Sequence, residues 1–552
     1  MSVNAQAPNW QWARGVGGLV DDMGLNVAID QFDNVYTTGY YSGTVDFDPG
    51  AGIFNLTASG GTDVYILKLD NAGNFIWAKS IGGLTADVGR SIAFDNTGNV
   101  YLTGGFSGTV DFDPGAGTFN VVATGSDDVF ILKLNSSGNF IWARAMGGLN
   151  SDMGRGIAID GNENIYTTGS FGATADFDPG VGIFNLNAVG LDDIYIAKLD
   201  SAGNLVWAKA MGSPGPDYGK SIAIDDNGNI YTIGEFEGAA DFDPGAGNFN
   251  LTATSGATNI FISKLDNSGS FVWAKGMIGL AAATGTSIAL DASNNIYTTG
   301  FFMGTFDLDP GTATHNVTSF DAEEDVFISK LDNAGNYQWA KTFGGMSTDV
   351  SNSIALDDSA NIYITGGFRF TVDFDPGIGI YNLTPTGIVS IYISKLDSAG
   401  NFIFATKAGG TNSEIGRGIA VTNSGAVYIT GSFGSPSISF GANTITNGSA
   451  SGNWDAFIAK LQGGTTGIEN VQQTNGVSFY PNPTSEYLII KLNDAPQKTE
   501  VTITDINGKT IYTASFSGMQ TALVSTKDFV PGIYLCIVNV EGTLITQKII
   551  KD

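Results

Sequence analysis

An aromatic residue recurs along this sequence every 65 or 66 residues, and this period constrains the fold more than any other feature. Each interval contains two pairs of short segments rich in β-branched and aromatic residues, with Gly/Asn-rich turns between them and no helical periodicity. Seven copies of a four-stranded antiparallel unit are therefore predicted. The recurring positions are Trp12, Trp77, Trp142, Trp207, Trp273, Trp339 and Phe404.

Four short strands per unit favour an all-β, seven-bladed β-propeller over a solenoid or a row of sandwiches. The two ends of the array are complementary. Asn9 to Arg14 is a lone fourth strand, whereas the last unit ends after its third strand, Asp455 to Leu461. The N-terminal strand is expected to complete the last unit and remove an open sheet edge. The propeller is placed at residues 8–462, a linker at 463–476 and a small β-sandwich at 477–552.

Composition narrows the classes of function. The formal net charge is −29, and eighteen of the nineteen basic residues before position 463 occupy equivalent repeat positions, so no nucleic-acid-binding patch is predicted. With one cysteine, Cys536, and one histidine, His315, the counts nearly exclude a disulfide, a Cys/His zinc site and a His-dependent triad. No segment approaches the about 20 apolar residues of a membrane-spanning helix, so no transmembrane segment is expected.

The repeated units resemble the seven-bladed β-propeller repeat (SBBP) family of bacterial surface and secreted proteins. The resemblance rests on patterns such as Ser91-Ile-Ala-Phe-Asp-Asn-Thr-Gly-Asn-Val-Tyr-Leu-Thr-Gly104 and Asp128-Val-Phe-Ile-Leu-Lys-Leu134, and it covers roughly residues 8 to 462. It implies the fold strongly and an activity hardly at all, because a propeller supports many functions.

Six units carry an Asp-x-Asp-Pro-Gly loop between their hairpins. In an extended segment the two carboxylates share one face and the residue between them lies on the other. Two interpretations stay open. Each pair caps backbone N–H groups of a Pro-Gly type II turn, or it binds Ca²⁺ with oxygens from nearby carbonyls, water or the third-strand acids Asp63, Asp128, Asp193 and Asp325. The pairs are Asp46 and Asp48, Asp111 and Asp113, Asp176 and Asp178, Asp241 and Asp243, Asp307 and Asp309, and Asp373 and Asp375.

The seventh unit has Ser437-Ile-Ser-Phe-Gly441 in place of the acidic loop, so it is expected to hold no Ca²⁺. Other departures from the repeat are His315, the acidic run Asp321 to Asp325, and Arg369-Phe370. None of them places a base beside a nucleophile.

A second candidate site opens the first strand of each unit, at Asn26, Arg90, Arg155, Lys220, Thr286, Asn352 and Arg417. If the first strand lines a central channel, as the resemblance implies, Arg90, Arg155, Lys220 and Arg417 would place cations at one channel mouth. An extracellular anionic, glycan or protein ligand could bind there. Salt links to acids upstream are the alternative: Asp22, Asp87, Asp152, Asp217, Asp349 and Glu414.

A non-enzymatic extracellular binding or structural module, including an adhesive one, is therefore the leading interpretation. The alternative is a hydrolase or lyase acting on polysaccharide. That alternative stays open, because a catalytic pair of carboxylates would leave no motif in a sequence so rich in Asp.

The last 76 residues resemble the C-terminal sorting domain of the type IX secretion system of Bacteroidetes-type bacteria. The markers are Phe479-Tyr-Pro-Asn-Pro483, Asp505-Ile-Asn-Gly-Lys509, Val530-Pro-Gly-Ile-Tyr534 and Gln547-Lys-Ile-Ile-Lys551. The resemblance implies that residues 477–552 engage the type IX machinery, and that the protein is secreted or attached to the outer cell surface. An accessory binding sandwich is the alternative.

Cargo of this system carries an N-terminal signal peptide, and the start of the sequence has neither a charged nor an apolar signal region. Ala5-Gln-Ala7 resembles the remnant of a small-residue cleavage site. A signal segment upstream of this chain is therefore expected.

Overall fold

The computed structural model describes residues 8–254, 256–449 and 452–462 of the repeat region. In the C-terminal region it describes 477–480, 484, 487–492, 496, 498–505, 509–540 and 543–551. The chain divides into two compact regions, Met1–Gly464 and Thr465–Asp552. The expected cleavage remnant at residues 5–7 and the expected linker at residues 463–476 lie outside the described residues.

The repeat region begins with the strand Trp10–Val16 (β1). The next three repeat units contain four antiparallel strands each. Unit 1 has Met23–Ile29 (β2), Val35–Asp46 (β3), Asn55–Leu69 (β4) and Phe75–Gly83 (β5). Unit 2 has Val88–Phe94 (β6), Val100–Asp111 (β7), Asn120–Leu134 (β8) and Phe140–Gly148 (β9). Unit 3 has Met153–Ile159 (β10), Ile165–Asp176 (β11), Asn185–Leu199 (β12) and Leu205–Met211 (β13).

In units 4 to 6 the outer parts of the second and third strands are separate short strands. Unit 4 has Tyr218–Ile224 (β14), Ile230–Glu237 (β15), Ala239–Asp241 (β16), Asn250–Thr252 (β17), Thr258–Leu265 (β18) and Phe271–Gly279 (β19). Unit 5 has Ala283–Leu290 (β20), Ile296–Phe302 (β21), Thr305–Asp307 (β22), Asn316–Thr318 (β23), the 3₁₀ turn Phe320–Ala322, Asp325–Leu331 (β24) and Tyr337–Phe343 (β25). Unit 6 has Val350–Leu356 (β26), Ile362–Phe368 (β27), Val372–Asp373 (β28), Asn382–Leu383 (β29), Ser390–Leu396 (β30) and Phe402–Ala408 (β31).

Unit 7 obtains its fourth strand from the start of the chain. Its own strands are Glu414–Val421 (β32), Val427–Phe433 (β33), Ser437–Phe440 (β34), Asn443–Thr446 (β35) and Asp455–Leu461 (β36). β1 pairs antiparallel with β36, from Trp10 opposite Leu461 to Val16 opposite Ala456. The resulting sheet has the order β1-β36-β33-β32. The first strands of consecutive units also contact one another in chain order, and β32 contacts β2.

The repeat units pack through the aromatic residues that mark the sequence period. Tyr36 of unit 1 is fully buried and lies edge-on to Trp77 and to Phe94 of unit 2, with ring centroids 5.8 and 4.6 Å apart. Lys68 Nζ lies 4.7 Å from the Tyr36 ring centroid and 3.5 Å from Asp30 Oδ2. Inner strand segments such as Val64–Leu69 are buried on both faces, because units cover both sides of the sheet.

The C-terminal region contains a three-stranded and a four-stranded sheet among its described residues. Alternate residues of both sheets, including Leu488, Val501 and Cys536, form one hydrophobic cluster, which is the pattern of two sheets packed face to face. The strands are Val477–Tyr480 (β37), Tyr487–Leu492 (β38), Thr499–Asp505 (β39), Thr510–Phe516 (β40), Thr521–Ser525 (β41), Gly532–Val540 (β42) and Thr543–Lys551 (β43).

Candidate ligand-binding site

The first strand of every repeat unit contains one extra residue with no partner on the second strand. In β2 the pairing passes from Gly24 to Asn26 and leaves Leu25 unpaired. In β6 it passes from Gly89 to Ser91 and leaves Arg90 unpaired. Such a β-bulge turns a side chain away from the regular alternation of the strand. The complete set, called the bulge residues below, is Leu25, Arg90, Arg155, Lys220, Thr286, Asn352 and Arg417.

The sequence-based assignment of Asn26 to this set is wrong by one residue. The observed register makes Gly24 equivalent to Gly89, so Leu25 corresponds to Arg90 and Asn26 to Ser91. Asn26 Oδ1 instead accepts the N–H of Ile92 in unit 2 at 3.3 Å. Aligning the units on the glycine before the variable residue, rather than on polarity, would have identified Leu25.

In six units a glycine precedes the bulge residue and packs closely against the preceding unit, and in unit 6 the residue is Ser351. A Cβ atom at Gly89 would lie 2.5 Å from Oγ1 of Thr38 in unit 1. At Gly154 it would lie 2.2 Å from Oγ1 of Thr103 in unit 2. The small residue therefore lets the first strand approach the second strand of the preceding unit, and the bulge fixes where the next side chain points.

The bulge residues of all seven units line one pocket of about 350 Å³, together with Thr284 and Phe301. A narrower cavity of about 150 Å³ shares the same seven residues and is also lined by small residues such as Ser91, Ser221 and Ser287. The structure thus brings the predicted residues Arg90, Arg155, Lys220 and Arg417 together. Sequence reasoning missed Thr284 and Phe301, since no repeated pattern singles them out.

Three arginines in this pocket form no ion pair among the described residues, and each has an unsatisfied Nε–H group. The Nε–H groups of Arg90, Arg155 and Arg417 are buried and donate no hydrogen bond among the described residues. Burial, together with the charges of Arg155 and Arg417, lowers the pKa of Arg90 to about 10. Burial also lowers the pKa values of Arg155 and Arg417. All three remain cationic at neutral pH and repel one another.

Lys220 differs from the three arginines because it forms an ion pair, although the charges of Glu235 and Asp192 also oppose the lowering of the Arg155 pKa. Its Nζ lies 2.9 Å from Glu235 Oε1, and Thr284 Oγ1 donates a hydrogen bond to Glu235 Oε2. Burial lowers the pKa of Lys220, and Glu235 opposes that shift. The ammonium charge is therefore largely neutralised within the wall of the pocket.

The upstream acids do not form salt links with the bulge residues in the described part of the chain, because they accept backbone N–H groups. Asp87 accepts the N–H of Gly83 at 2.8 Å and the N–H of Ser107 at 3.1 Å. Its equivalents accept backbone N–H groups in the same way: Asp22, Asp152, Asp217, Asp349 and Glu414. Burial raises the pKa of Asp87 to about 7 despite these bonds. The described residues form no ion pair between these acids and the bulge residues.

The acidic loops sit at the tip of the hairpin between the second and third strands, and their carboxylates bind their own backbone. Asp46 Oδ1 accepts the N–H of Asp48 at 3.0 Å and of Phe54 at 2.8 Å, and Asp48 Oδ1 accepts the N–H of Gly50 at 2.8 Å. The other five loops repeat this pattern. Phe47 is fully buried on the opposite face, against Tyr41 and Tyr65.

The predicted type II turn with a positive φ at glycine is wrong. Gly50 and its equivalents do not adopt positive φ angles. A Cβ at Gly50 would instead lie 3.0 Å from Asp48 Oδ1, so the glycine leaves room for the carboxylate that accepts its N–H. The Asp48 side chain closes the turn by accepting the N–H of Gly50, two residues further along the chain. This bond takes the place of the backbone hydrogen bond of a standard β-turn.

The acidic pairs are not joined by further metal-ligating side chains. No group of three or more His, Cys, Asp or Glu that could hold a metal occurs in the described part of the chain. The third-strand acid Asp63 accepts the N–H of Ser59 at 3.0 Å instead. In unit 7, Ser439 rather than Ser437 occupies the position of the first Asp. Ser439 forms an isolated β-bridge with Gly409, and in unit 4 the first Asp of the loop, Asp241, forms the same bridge with Gly212.

The other residues that depart from the repeat pattern do not form a common site with the bulge residues. His315 donates its backbone N–H to Asp307, and its ring lies 5.4 Å from that of Tyr337. Arg369 and Phe370 are exposed, and none of these residues lines the central pocket.

Both regions match known families. Residues 478–552 match the secretion system C-terminal sorting domain, and residues 76–104, 141–170 and 206–235 match the Beta-propeller repeat. The chain carries β-propeller repeats and a type IX sorting domain. Each repeat match starts in the fourth strand of one unit and ends in the second strand of the next, so it spans the bulge.

The sorting domain assigns this β-propeller repeat protein to the type IX secretion route and to the cell surface, as the sequence predicts. Among the described residues, no helix is long and apolar enough to cross a membrane.

Curated relatives are more distant. An uncharacterized WD repeat-containing protein of Acanthamoeba polyphaga mimivirus is 25% identical over 540 residues, covering 81% of this chain and 38% of the relative. A regulatory protein of Caulobacter vibrioides is 22% identical over 436 residues, covering 75% and 43%. The chain thus spans about two fifths of the length of these relatives. The extracellular domain of a hybrid two-component system of B. thetaiotaomicron covers 98% of this chain and 99% of its own, with 10% identity and a TM-score of 0.16.

Proposed function

We propose that the chain is a secreted or surface-anchored, non-enzymatic binding module with a seven-bladed propeller at residues 8–462. In this proposal the N-terminal strand closes the ring. The pairing of β1 with β36 and the contact between β32 and β2 support closure. A pocket lined by the first strands of all seven units also supports it. The sandwich at residues 477–552 engages the type IX secretion machinery.

The central pocket binds an anionic extracellular ligand. The observation that carries this proposal is the convergence of Arg90, Arg155 and Arg417, none of which forms an ion pair within the described residues. Cations that repel one another in a half-buried pocket are stabilised when an anion binds between them. Guanidinium groups also bind carboxylate or sulfate through paired hydrogen bonds.

The polar groups beside the pocket support binding rather than turnover. The hydroxyl of Tyr218 donates to Asp192 Oδ2 at 3.2 Å, and its pKa is raised by burial and by Asp192. Glu235 is engaged by Lys220 and Thr284. Both side chains are thus held by neighbours within the wall, which favours a binding role over one as a general base.

A panel of anionic and neutral glycans tests this function. The native protein is expected to bind anionic members, with affinity that falls as salt rises. The variant R90Q/R155Q/R417Q is expected to lose at least about tenfold in affinity. The matched control R369Q removes an exposed arginine outside the pocket and should bind as the native protein does. Equal binding by the triple variant, with an unchanged melting temperature, would contradict the proposal.

A further inference from the structure

The central pocket is chemically uneven around its ring. In the cyclic order of repeat units, Arg417, Arg90 and Arg155 belong to units 7, 2 and 3, so the cations without an ion pair lie on one arc, with Leu25 of unit 1 between Arg417 and Arg90. Units 5 and 6 contribute Thr286 and Asn352 to the other arc. A ligand that fills the pocket therefore meets cations on one side and neutral hydrogen-bonding groups on the other.

Lys220 of unit 4 marks the boundary between the two arcs. Its ion pair with Glu235 removes it from the set of free cations. Thr284, whose hydroxyl is bonded to the same carboxylate, lies on the wall that follows. The lining of the pocket thus changes from cationic to neutral at Glu235, which binds both Lys220 and Thr284.

Two apolar side chains complete the lining. Leu25 lies between Arg417 and Arg90 in unit order, and Phe301 stands opposite Thr284 in the β20–β21 pair. An aromatic ring offers a flat surface for the C–H groups of a ligand. The volume of about 350 Å³ is at the lower end of the range for small-molecule sites, so one inorganic anion would fill only part of it.

We propose that this pocket recognises an acidic sugar residue, such as a hexuronate, within an extracellular polysaccharide. This inference rests on the proposed function. The sugar carboxylate binds the arc of Arg417, Arg90 and Arg155, where guanidinium groups offer paired donors. The Thr286 hydroxyl and the Asn352 amide already donate to backbone carbonyls. The sugar hydroxyls therefore donate to Thr286 Oγ1 and Asn352 Oδ1, and the sugar ring packs on Phe301.

Titration calorimetry with three probes tests the inference: oligogalacturonate, the matched neutral galactose oligomer, and sodium sulfate. Oligogalacturonate is expected to bind at least about tenfold more tightly than either of the other two. The variant R90Q/R417Q should remove this binding while the protein stays folded, as judged by its melting temperature. R369Q is again the matched control.

Variants of the neutral arc separate sugar recognition from simple anion binding. T286V and N352L are expected to weaken oligogalacturonate several-fold and to leave sulfate binding unchanged. Loss of sulfate binding in these variants would contradict a division of the pocket into two arcs.

The outcomes distinguish the two proposals. If sulfate binds as tightly as oligogalacturonate, sugar recognition is overturned while the anionic site stands. If the neutral oligomer binds equally, or if no anionic glycan binds, the proposed function fails as well. Release of unsaturated uronate products, detected by their ultraviolet absorbance, would support uronate recognition and overturn the non-enzymatic assignment.

Discussion

The acidic loops and the bulge residues both recur once per repeat unit, but their charges are satisfied differently. In the loops the residue type is nearly constant, and Asp46 and its equivalents accept N–H groups of their own turn. At the bulge the residue type changes from unit to unit, and three arginine Nε atoms have no partner in the described chain. Constant, satisfied charges fit a structural role, whereas variable, unsatisfied charges fit a binding role.

Removing β1, the fourth strand of unit 7, should have the largest effect on stability. The acidic loops and the bulge residues are both held by the sheets of the repeat region, and β1 completes one of those sheets. Deleting residues 1–16 removes β1, including Trp12 and Val16, which are 7% and 2% exposed. Lost burial of these side chains alone is expected to cost about 5 kcal/mol of stability. Thermal unfolding and light scattering measure the loss and any aggregation through the exposed edge of β36. Deleting residues 1–7 is the control, and equal stability of the two truncations would contradict closure by β1.

The pH dependence of stability tests a third set of charges, the carboxyls at the junctions between units. Burial raises the pKa of each to about 7, well above the about 3.9 of an unfolded Asp. The native state therefore holds protons that the unfolded state has released, so stability is present at acidic pH and is lost as pH rises through 7. The six groups are Asp22, Asp87, Asp152, Asp217, Asp349 and Asp455.

Urea unfolding at about pH 6 and pH 8 is expected to show a loss on the order of 1 kcal/mol for each such carboxyl. The junction between units 4 and 5 supplies a natural control, because Asn259 and Ala283 occupy the positions of Asp63 and Asp87 at the junction between units 1 and 2. The variant D63N/D87A copies this neutral junction and should reduce the pH slope. A free energy of unfolding that does not fall between pH 6 and pH 8 would show that these carboxyls are already ionised in the native state.

Substitution in an acidic loop should destabilise the protein without affecting ligand binding. D111A leaves the N–H groups of Asp113 and Phe119 without their acceptor. The expected cost is about 2 kcal/mol, measured by urea unfolding. S439A in unit 7 is the matched control, because Ser439 occupies the same position and its hydroxyl is exposed beside Thr444. A neutral D111A variant would remove the structural role assigned to these loops.

Substitution of a bulge residue should have the opposite effects: it should raise the stability of the protein and weaken ligand binding. R90L copies Leu25 and removes one of three mutually repelling guanidinium groups. We expect a gain of about 0.5–1 kcal/mol in stability together with loss of anion binding, since binding groups commonly reduce stability. Differential scanning calorimetry and ligand titration measure the two effects on one sample. A destabilised R90L variant would show that Arg90 holds the fold.

The sequence predicts most of the repeat region but less of the site. The period of Trp12 and its equivalents specifies seven units, and the lone strand at Asn9 to Arg14 predicts its pairing with β36. The bulge shifts the register by one residue within a run of small side chains, so polarity alone misplaces Asn26. The loop glycines are equally ambiguous, because a glycine needed for close approach and one needed for positive φ look alike in sequence.

Calcium binding by the acidic loops should give the smallest effect, if it occurs as the paired carboxylates predict. In unit 2, Asp111 Oδ1 and Asp113 Oδ1 are already hydrogen-bonded to backbone N–H groups. Few carboxylate oxygens remain for an ion that takes six to eight ligands, so carbonyls and water would supply the rest and the affinity should be weak. At a Ca²⁺ concentration equal to the dissociation constant, each site adds only about 0.4 kcal/mol. The melting temperature should rise slightly with Ca²⁺, less so in D111N/D113N. No binding heat and no shift on chelation would leave these loops as turn-forming structure.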